Sequence, residues 1–333
     1  MIRSASLLSK EGLIINMENT LKQSKTTRKA GYWQGYFARH WTLYAMLLLP
    51  IIFLFIFAYV PMVHLTRGFA QNNTIAPISQ LNWTGLDNLR QAFALPQFMN
   101  AIRNTIMFSF LDLLVGFPAP IILAILLNEL KFERFKKITQ TISYVPNFIS
   151  WIIVGGLATA LFSSNTGSIN LFIESLGGSP ILFLESNVNW VITNVLLSVW
   201  RSVGWSSIIY LAAITNINPE YYEAADIDGA SRLRKIWHIT LPGIRPTIII
   251  LLTLAIGGIM GASLDRFVAL ENSFVRGPAG VADVIPTFVW RWGLQNQQFA
   301  LATAIGLFNS TIGMVLLLSA NWTVRKLGGE GFW

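Results

Sequence analysis

The chain has 333 residues, of which 53% are hydrophobic and only 12% are charged. Soluble domains carry about 25% charged residues, so this composition argues against a water-soluble protein and favours one embedded among lipids and apolar helices. The absence of cysteine excludes disulfides and thiolate metal sites. The net charge is +8. The basic residues cluster beside apolar runs, which is typical of a membrane protein and not of a nucleic-acid-binding patch.

Six stretches are long and apolar enough to cross a bilayer as helices, which takes about 20 residues each. In chain order they are 41–63, 105–127, 138–162, 188–213, 247–264 and 299–324. We therefore predict an all-α integral membrane protein with about six transmembrane helices. The first 40 residues are polar and basic and lack a short apolar run followed by a small-residue cleavage site, so we expect no cleavable signal peptide.

The distribution of basic residues predicts the orientation of these spans. Seventeen of the 24 Lys and Arg residues lie in the N-terminal segment, the second-to-third connection, the fourth-to-fifth connection and the tail, which share one side of a six-span chain. The connection 163–187 on the other side has none. Because cytoplasmic connections are enriched in Lys and Arg, we expect both termini to be cytoplasmic.

This topology divides the chain into three parts. We predict a cytoplasmic basic segment at 1–40, a transmembrane domain at 41–325 and a cytoplasmic tail at 326–333. The transmembrane domain contains one long cytoplasmic loop, 218–246.

The loop 218–246 is too polar for a span and long for a plain turn. Asn218, followed by proline, is typical of a helix start. Gly229 predicts a break, because glycine adopts backbone angles that other residues avoid. Ser231 can cap a second short helix, which we expect to end at Pro242. The loop is therefore predicted to form a helix, a turn and a helix across the inner membrane face.

A set of residues in this loop has a recognisable spacing. Glu-Ala-Ala is followed after three residues by Gly, after nine more by Ile, and after one more by Leu-Pro, and an Asp precedes the Gly. The residues are Glu223, Ala224, Ala225, Asp228, Gly229, Ile239, Leu241 and Pro242. This pattern resembles the Glu-Ala-Ala loop of permease subunits in binding-protein-dependent ABC importers. An ordinary amphipathic surface loop is the alternative, which the agreement of every spacing disfavours.

The resemblance implies that this loop forms a coupling helix, which docks in a groove on an ATPase subunit. Carried over by position, those eight residues mark the contact. The small alanines permit close approach, Glu223 can pair with a basic group, and Gly229 sets the angle between the two helices.

Three further segments are similar to the carbohydrate-uptake branch of this family, including permeases for oligosaccharides and polysaccharides such as alginate. They begin at Tyr144 (YVPNFISWIIVGG), Trp200 (WRSVGWSSIIYLAAITNINPEYYEAADIDGA) and Ala302 (ATAIGLFNSTIGMVLLLSAN). The resemblance implies a type I importer permease fold in the bacterial plasma membrane. It also implies a second related permease, two ATPase subunits and an extracytoplasmic solute-binding protein.

No motif for enzyme chemistry is evident in the sequence. It contains no G-x-x-x-x-G-K-[ST] for phosphate binding, no H-E-x-x-H and no G-x-S-x-G. We therefore expect no enzymatic activity and no cofactor in this chain, with ATP and Mg²⁺ bound by the partner ATPase subunits.

Charged residues inside spans usually face a cavity or a partner, because lipid penalises them. Arg201 lies near the middle of the fourth span, and Asp112 in the second span is a candidate partner for it. We predict a substrate pathway lined by Arg201, Trp200, Trp205, Asp112, Arg266 and Arg291. The three arginines together would suit an acidic glycan. The alternatives are packing, pairing with backbone carbonyls, and solvated loops.

Other functions stay open at this point. Importers of polyols, glycerol phosphate or peptides share the same loop, so the loop alone does not select carbohydrate. A membrane regulator that uses the same fold is a further alternative. A membrane enzyme is disfavoured by the lack of a catalytic constellation.

Overall fold

The computed structural model describes Tyr36 and residues 39–72, 77–271 and 280–326. The predicted N-terminal segment and tail therefore lie almost entirely outside the described residues. Contacts divide the chain into two compact units, Met1–His64 and Leu65–Trp333. Residues 39–64 of the first unit belong to the helix α1, Arg39–Phe69.

Helices make up most of the described part of the second unit. They are α2 (Asp87–Ala94), α3 (Pro96–Asn128), α4 (Glu133–Phe148), α5 (Trp151–Phe162), α6 (Ser168–Ser175), α7 (Asn187–Thr215), α8 (Pro219–Ile227), α9 (Arg232–Gly257), α10 (Leu264–Leu270), α11 (Ile285–Trp290) and α12 (Phe299–Lys326). A π-helical turn, Arg291–Gln295, extends α11. An isolated antiparallel bridge joins Ala70 and Trp83.

Among the described residues, five helices are long and apolar enough to cross a membrane: α1, α3, α7, α9 and α12. The pair α4 and α5 supplies a sixth span if the two are counted together. The predicted all-α membrane fold with about six spans is therefore confirmed, although two of the spans differ in form from the prediction.

The third span is broken, whereas we predicted one uninterrupted helix over 138–162. Pro146 has no backbone N–H to continue the helix, and α4 ends in a tighter 3₁₀ turn, Val145–Phe148. Ile149 is extended, and Ser150 then caps α5 by accepting a hydrogen bond from the Ile153 amide at 3.4 Å. The axes of α4 and α5 differ by 104°. With 12 residues, α5 is only about 18 Å long, too short to span alone.

The fifth span also differs from the predicted 247–264. The helix α9 begins at Arg232 and ends at Gly257; a turn follows, and α10 is a separate short helix. We had predicted that Pro242 ends the short helix before it, but α9 continues through Pro242. This proline falls just after a wider π-helical turn, Ile236–Thr240, where the regular hydrogen-bond ladder is already interrupted, so its missing N–H does not stop the helix.

Three apolar clusters hold the helices of the second unit together. The first joins α3, α7 and α10 through Phe108, Trp190 and Phe267. The second joins α3, α11 and α12 through residues that include Phe98, Phe288 and Ile305. The third joins α3, α7 and α9 through Ala124, Tyr210, Ile214 and Ile244. Because the third cluster binds the end of α7 to Ile244 in the middle of α9, it fixes the two ends of the 218–246 loop.

Candidate functional site

The first helix of the 218–246 loop starts where the sequence predicted. Asn218 Oδ1 accepts a hydrogen bond from the Glu220 amide at 3.1 Å. This bond satisfies one of the amides that a helix start leaves without a partner. Pro219 occupies the first helical position, where no amide donor is needed.

The break at Gly229 is a Schellman-type helix end. Gly229 has φ of +70°, a left-handed conformation that glycine adopts without the steric cost of a side chain. The Ala230 amide donates to the Ala225 carbonyl at 2.9 Å, and the Gly229 amide donates to the Asp226 carbonyl at 3.1 Å. These are the two bonds that define this helix end. No atom lies within 4 Å of where a Cβ would stand, so the constraint on Gly229 is its backbone angle.

Side chains then join α8 to the start of α9. Ser231 Oγ caps α9 by accepting from the Arg234 amide at 3.4 Å. Lys235 Nζ lies 2.7 Å from Asp226 Oδ1, which links the two helices by an ion pair. A hydrogen bond between the hydroxyls of Tyr222 and Thr240, at 3.0 Å, adds a second link. The helix α8 and the start of α9 therefore form one cross-linked helix pair.

Most of the residues that carry the sequence pattern are on the surface of this helix pair. The exposed ones are Glu223, Ala224, Asp228, Gly229 and Pro242, whereas Ala225, Ile239 and Leu241 are partly buried. The partly buried residues hold the helices together, and the exposed ones are available to a partner.

Sequence reasoning missed several exposed apolar side chains on the same helix pair. They are Tyr221, Ile227, Leu233 and Trp237, and Ile227 is 87% exposed. Large apolar side chains in a polar connection are a sequence signal that could have identified them. Clustered exposed apolar residues are typical of protein-contact surfaces.

Arg201 lies at the break in the third span. Its Nε donates to the Ile149 carbonyl at 2.9 Å, and its guanidinium carbon lies 5.0 Å from the centroid of the Trp151 ring. The predicted pairing of Arg201 with Asp112 is wrong, because Asp112 has a different cationic partner.

That partner is Arg266, on α10. Arg266 is only 4% exposed; its Nη1 lies 2.6 Å from Asp112 Oδ2, and its Nε donates to Asn194 Oδ1 at 2.7 Å. The rings of Phe108 and Phe267 lie 5.8 and 5.3 Å from its guanidinium carbon. A cavity of about 370 Å³ adjoins Asp112 and Arg266. The ion pair ties the second span to α10.

Arg291 lies elsewhere, on the π-helical turn after α11. It makes ion pairs with Glu271, at 3.4 Å, and with Asp283. All three side chains are less than 15% exposed. The charge of Arg291 is therefore balanced inside the protein.

The two tryptophans next to Arg201 in the chain are half exposed. Trp200 is 43% exposed and lines an apolar cavity of about 620 Å³ between α5 and α7. Trp205 is 49% exposed, and its ring lies 5.5 Å from that of Phe148 in an edge-to-face arrangement. Of the six predicted pathway residues, the structure pairs Asp112 with Arg266. Trp200 and Trp205 line two different cavities, Arg201 contacts Trp151, and Arg291 lies apart.

Among the residues that the structure describes, no group of three or more His, Asp or Glu side chains is placed to hold a metal ion.

The family assignment follows from a match over residues 92–328, most of the chain, to the family described as binding-protein-dependent transport system inner membrane component. The chain belongs to this family. Its relatives in Bacillus subtilis strain 168 include protein LplB, 39% identical over 92% of this permease and 95% of the relative. They also include the polygalacturonan/rhamnogalacturonan transport system permease protein YteP, 41% identical over 87% and 90%.

Solved structures agree with this assignment. A bacterial ABC transporter involved in import of the acidic polysaccharide alginate has a chain that is 39% identical, with a TM-score of 0.79 over 87% of this permease and 97% of that chain. The alginate transporter in complex with an alginate pentasaccharide-bound periplasmic protein gives 0.80 over 89% and 98%. The predicted ABC importer permease fold is confirmed, and the chain is a multi-pass membrane protein.

Proposed function

We propose that this permease is one transmembrane subunit of an ATP-driven importer that carries oligosaccharides or polysaccharides into the cytoplasm. Its relatives YteP and the alginate transporter are named for such substrates. The observation that carries the proposal is the 218–246 loop, whose Glu-Ala-Ala spacing coincides with a capped, cross-linked and exposed pair of helices.

The proposal includes the partners that such a subunit needs. They are a second homologous permease, two ATPase subunits that bind ATP and Mg²⁺, and an extracytoplasmic solute-binding protein. ATP hydrolysis belongs to the ATPase subunits and not to this chain.

The 218–246 loop and both termini face the cytoplasm, and the connection 163–187 faces outward. The division into 1–40, 41–325 and 326–333 follows this topology.

Coupling through this loop has a physical basis. The exposed Glu223 and Ala224 give α8 a small, acidic surface. The Gly229 helix end and the Lys235–Asp226 ion pair hold α8 against α9. Because α9 continues without a break from the loop into its span, movement of a docked ATPase subunit is transmitted to the transmembrane helices.

Substitution of Gly229 by valine tests the coupling. A β-branched residue at φ of +70° is strained, so the helix end changes and docking weakens. We expect the complex reconstituted with its binding protein and substrate to lose most of its substrate-stimulated ATP hydrolysis, with membrane insertion intact. Gly177→Val is the matched control: Gly177 has φ of +82° and equally open surroundings, but lies on the connection 163–187.

Charge reversal in the same assay tests the contact surface. Glu223→Lys is expected to lower stimulated hydrolysis and co-purification of the ATPase subunit. Glu174→Lys, at an exposed position on α6, is expected to leave both unchanged. Full stimulation in the Gly229→Val and Glu223→Lys complexes would exclude the 218–246 loop as the coupling element.

A further inference from the structure

We propose that Arg201 forms a carboxylate-binding subsite for acidic sugars at the break in the third span. This inference rests on the proposed function and names its substrate class, the uronic-acid-containing glycans. Four features of the site support it: the depth of Arg201, its lack of a carboxylate partner, its anchoring and its aromatic neighbours.

Arg201 lies at the midpoint of α7. It lies fourteen positions from Asn187 at one end of the helix and fourteen from Thr215 at the other, or about 21 Å at 1.5 Å per residue. A cation at this depth is strongly unfavourable against lipid and is normally found facing a water-filled cavity or a polar partner. Arg201 is half-buried, so part of the side chain is available to such a cavity.

The other two arginines predicted to line the pathway are neutralised within the chain. Arg266 pairs with Asp112, and Arg291 pairs with Glu271 and Asp283. Among the described residues, no carboxylate forms an ion pair with Arg201. Its charge is therefore the one of these three that is available to an anionic ligand.

The break in the third span holds the guanidinium in a defined orientation. Ile149 is extended between α4 and α5, so its carbonyl lies outside both helical ladders and accepts from Arg201 Nε. The Trp151 ring lies against the guanidinium. Within the described residues, neither contact uses the two terminal nitrogens. These are the donors that a carboxylate engages in a two-bond fork.

Exposed aromatic rings lie on the same face of α7 as Arg201 or in contact with that face. Trp205 follows Arg201 by four residues, so the two side chains share one face of α7. Trp205 is in contact with Phe148, and Phe148 is 72% exposed. Flat aromatic surfaces suit the apolar C–H faces of a sugar ring, while the guanidinium suits its carboxylate. A uronic acid has both features, whereas a neutral sugar has only the first.

The test compares one oligosaccharide with and without its charge. The complete complex, with its own binding protein and ATPase subunits, is reconstituted in proteoliposomes and supplied with an oligogalacturonide, an alginate oligosaccharide, their methyl esters or a neutral arabinooligosaccharide. We expect Arg201→Gln to lower the ratio of acid to ester uptake by about tenfold, the loss expected for one hydrogen bond to a charged group. Arg201→Lys should retain part of that ratio, because it keeps the charge but loses the planar fork.

The matched control is Arg90→Gln. It removes the same charge from a solvent-exposed pair with Asp87 and should leave the ratio unchanged. Because all variants share one binding protein, a changed ratio reports on the permease.

Each contrary outcome has a distinct meaning. Equal loss of acid and ester uptake would make Arg201 only a support for the break and overturn the subsite. If the Arg201→Gln complex lost its second permease on purification, Arg201 would pair with a carboxylate of that subunit and not with the sugar, which would overturn the subsite. Import of the neutral sugar alone would overturn the acidic substrate class while leaving the proposed function standing. If the parent complex imported none of the carbohydrates, the proposed function itself would fail.

Discussion

Three arginines show how one residue type takes different roles in a membrane protein. The sequence placed each near or within a span, but it did not identify their partners. Arg266 pairs with a residue 154 positions away, and Arg201 donates to a carbonyl 52 positions away. Such pairing depends on which helices become neighbours, and that information is not local. Asp112 was therefore assigned to the wrong arginine.

The Arg266–Asp112 pair predicts a measurable stability effect. Removal of one member of a buried ion pair typically costs about 3–5 kcal/mol, because the other charge is left without compensation. Asp112 is 39% exposed, so we expect Arg266→Met to lie near or somewhat below the low end, at about 2–3 kcal/mol. The measurement is thermal unfolding of the detergent-purified complex, followed by intrinsic tryptophan fluorescence.

A double-mutant cycle and a surface control complete this test. Adding Asp112→Leu to Arg266→Met should recover part of the loss, because no unpaired carboxylate remains. Arg90→Gln should change stability by less than about 1 kcal/mol, since exposed ion pairs contribute little. Additive effects of the Arg266 and Asp112 substitutions would show that the pair is not coupled.

At the scale of helices, local signals predicted starts and turns better than breaks. Asn218, Gly229 and Ser231 act through bonds to residues within five positions, so the sequence alone identified them. Prolines were less informative. Pro146 lies beside a true break, whereas Pro242 lies within a continuous helix. The outcome depends on the surrounding structure: Arg201 satisfies the Ile149 carbonyl at the first site, and a π-helical turn precedes the second.

The crossing of α4 and α7 predicts a second stability effect. A Cβ at Gly204 would overlap the backbone carbonyl of Ser143 on α4, and backbone cannot move aside as a side chain end can. Overpacking of this kind costs about 1–3 kcal/mol, so we expect Gly204→Ala to lower the unfolding temperature of the purified complex.

Gly156→Ala is the matched control for this crossing. Gly156 lies in α5, with no atom within 4 Å of its Cβ position, and alanine is the better helix former. That variant should be as stable as the parent or more stable. Equal unfolding temperatures for the Gly204→Ala and Gly156→Ala complexes would mean that α4 and α7 do not approach this closely.

At the scale of the whole molecule, α7 carries Arg201 at its midpoint and leads at its end into the 218–246 loop. The third cluster holds the 218–246 loop at the end of α7 and the middle of α9, while Arg201 lies at the midpoint of α7, beside the break. One rigid helix thus connects the proposed sugar subsite to the proposed ATPase contact. Hydropathy predicted the number of spans, but their mutual packing emerged only from the structure.

The topology of the 218–246 loop is the most direct test of this account. Because the chain has no cysteine, single substitutions provide unique labelling sites at two exposed positions, Asp228→Cys and Ser175→Cys. In intact spheroplasts, a membrane-impermeant maleimide should label the Ser175→Cys variant but not the Asp228→Cys variant. The latter should react only after permeabilisation, and more slowly when the ATPase subunit is bound. Labelling of Asp228→Cys in intact spheroplasts would place the loop outside the cell and contradict its role in coupling.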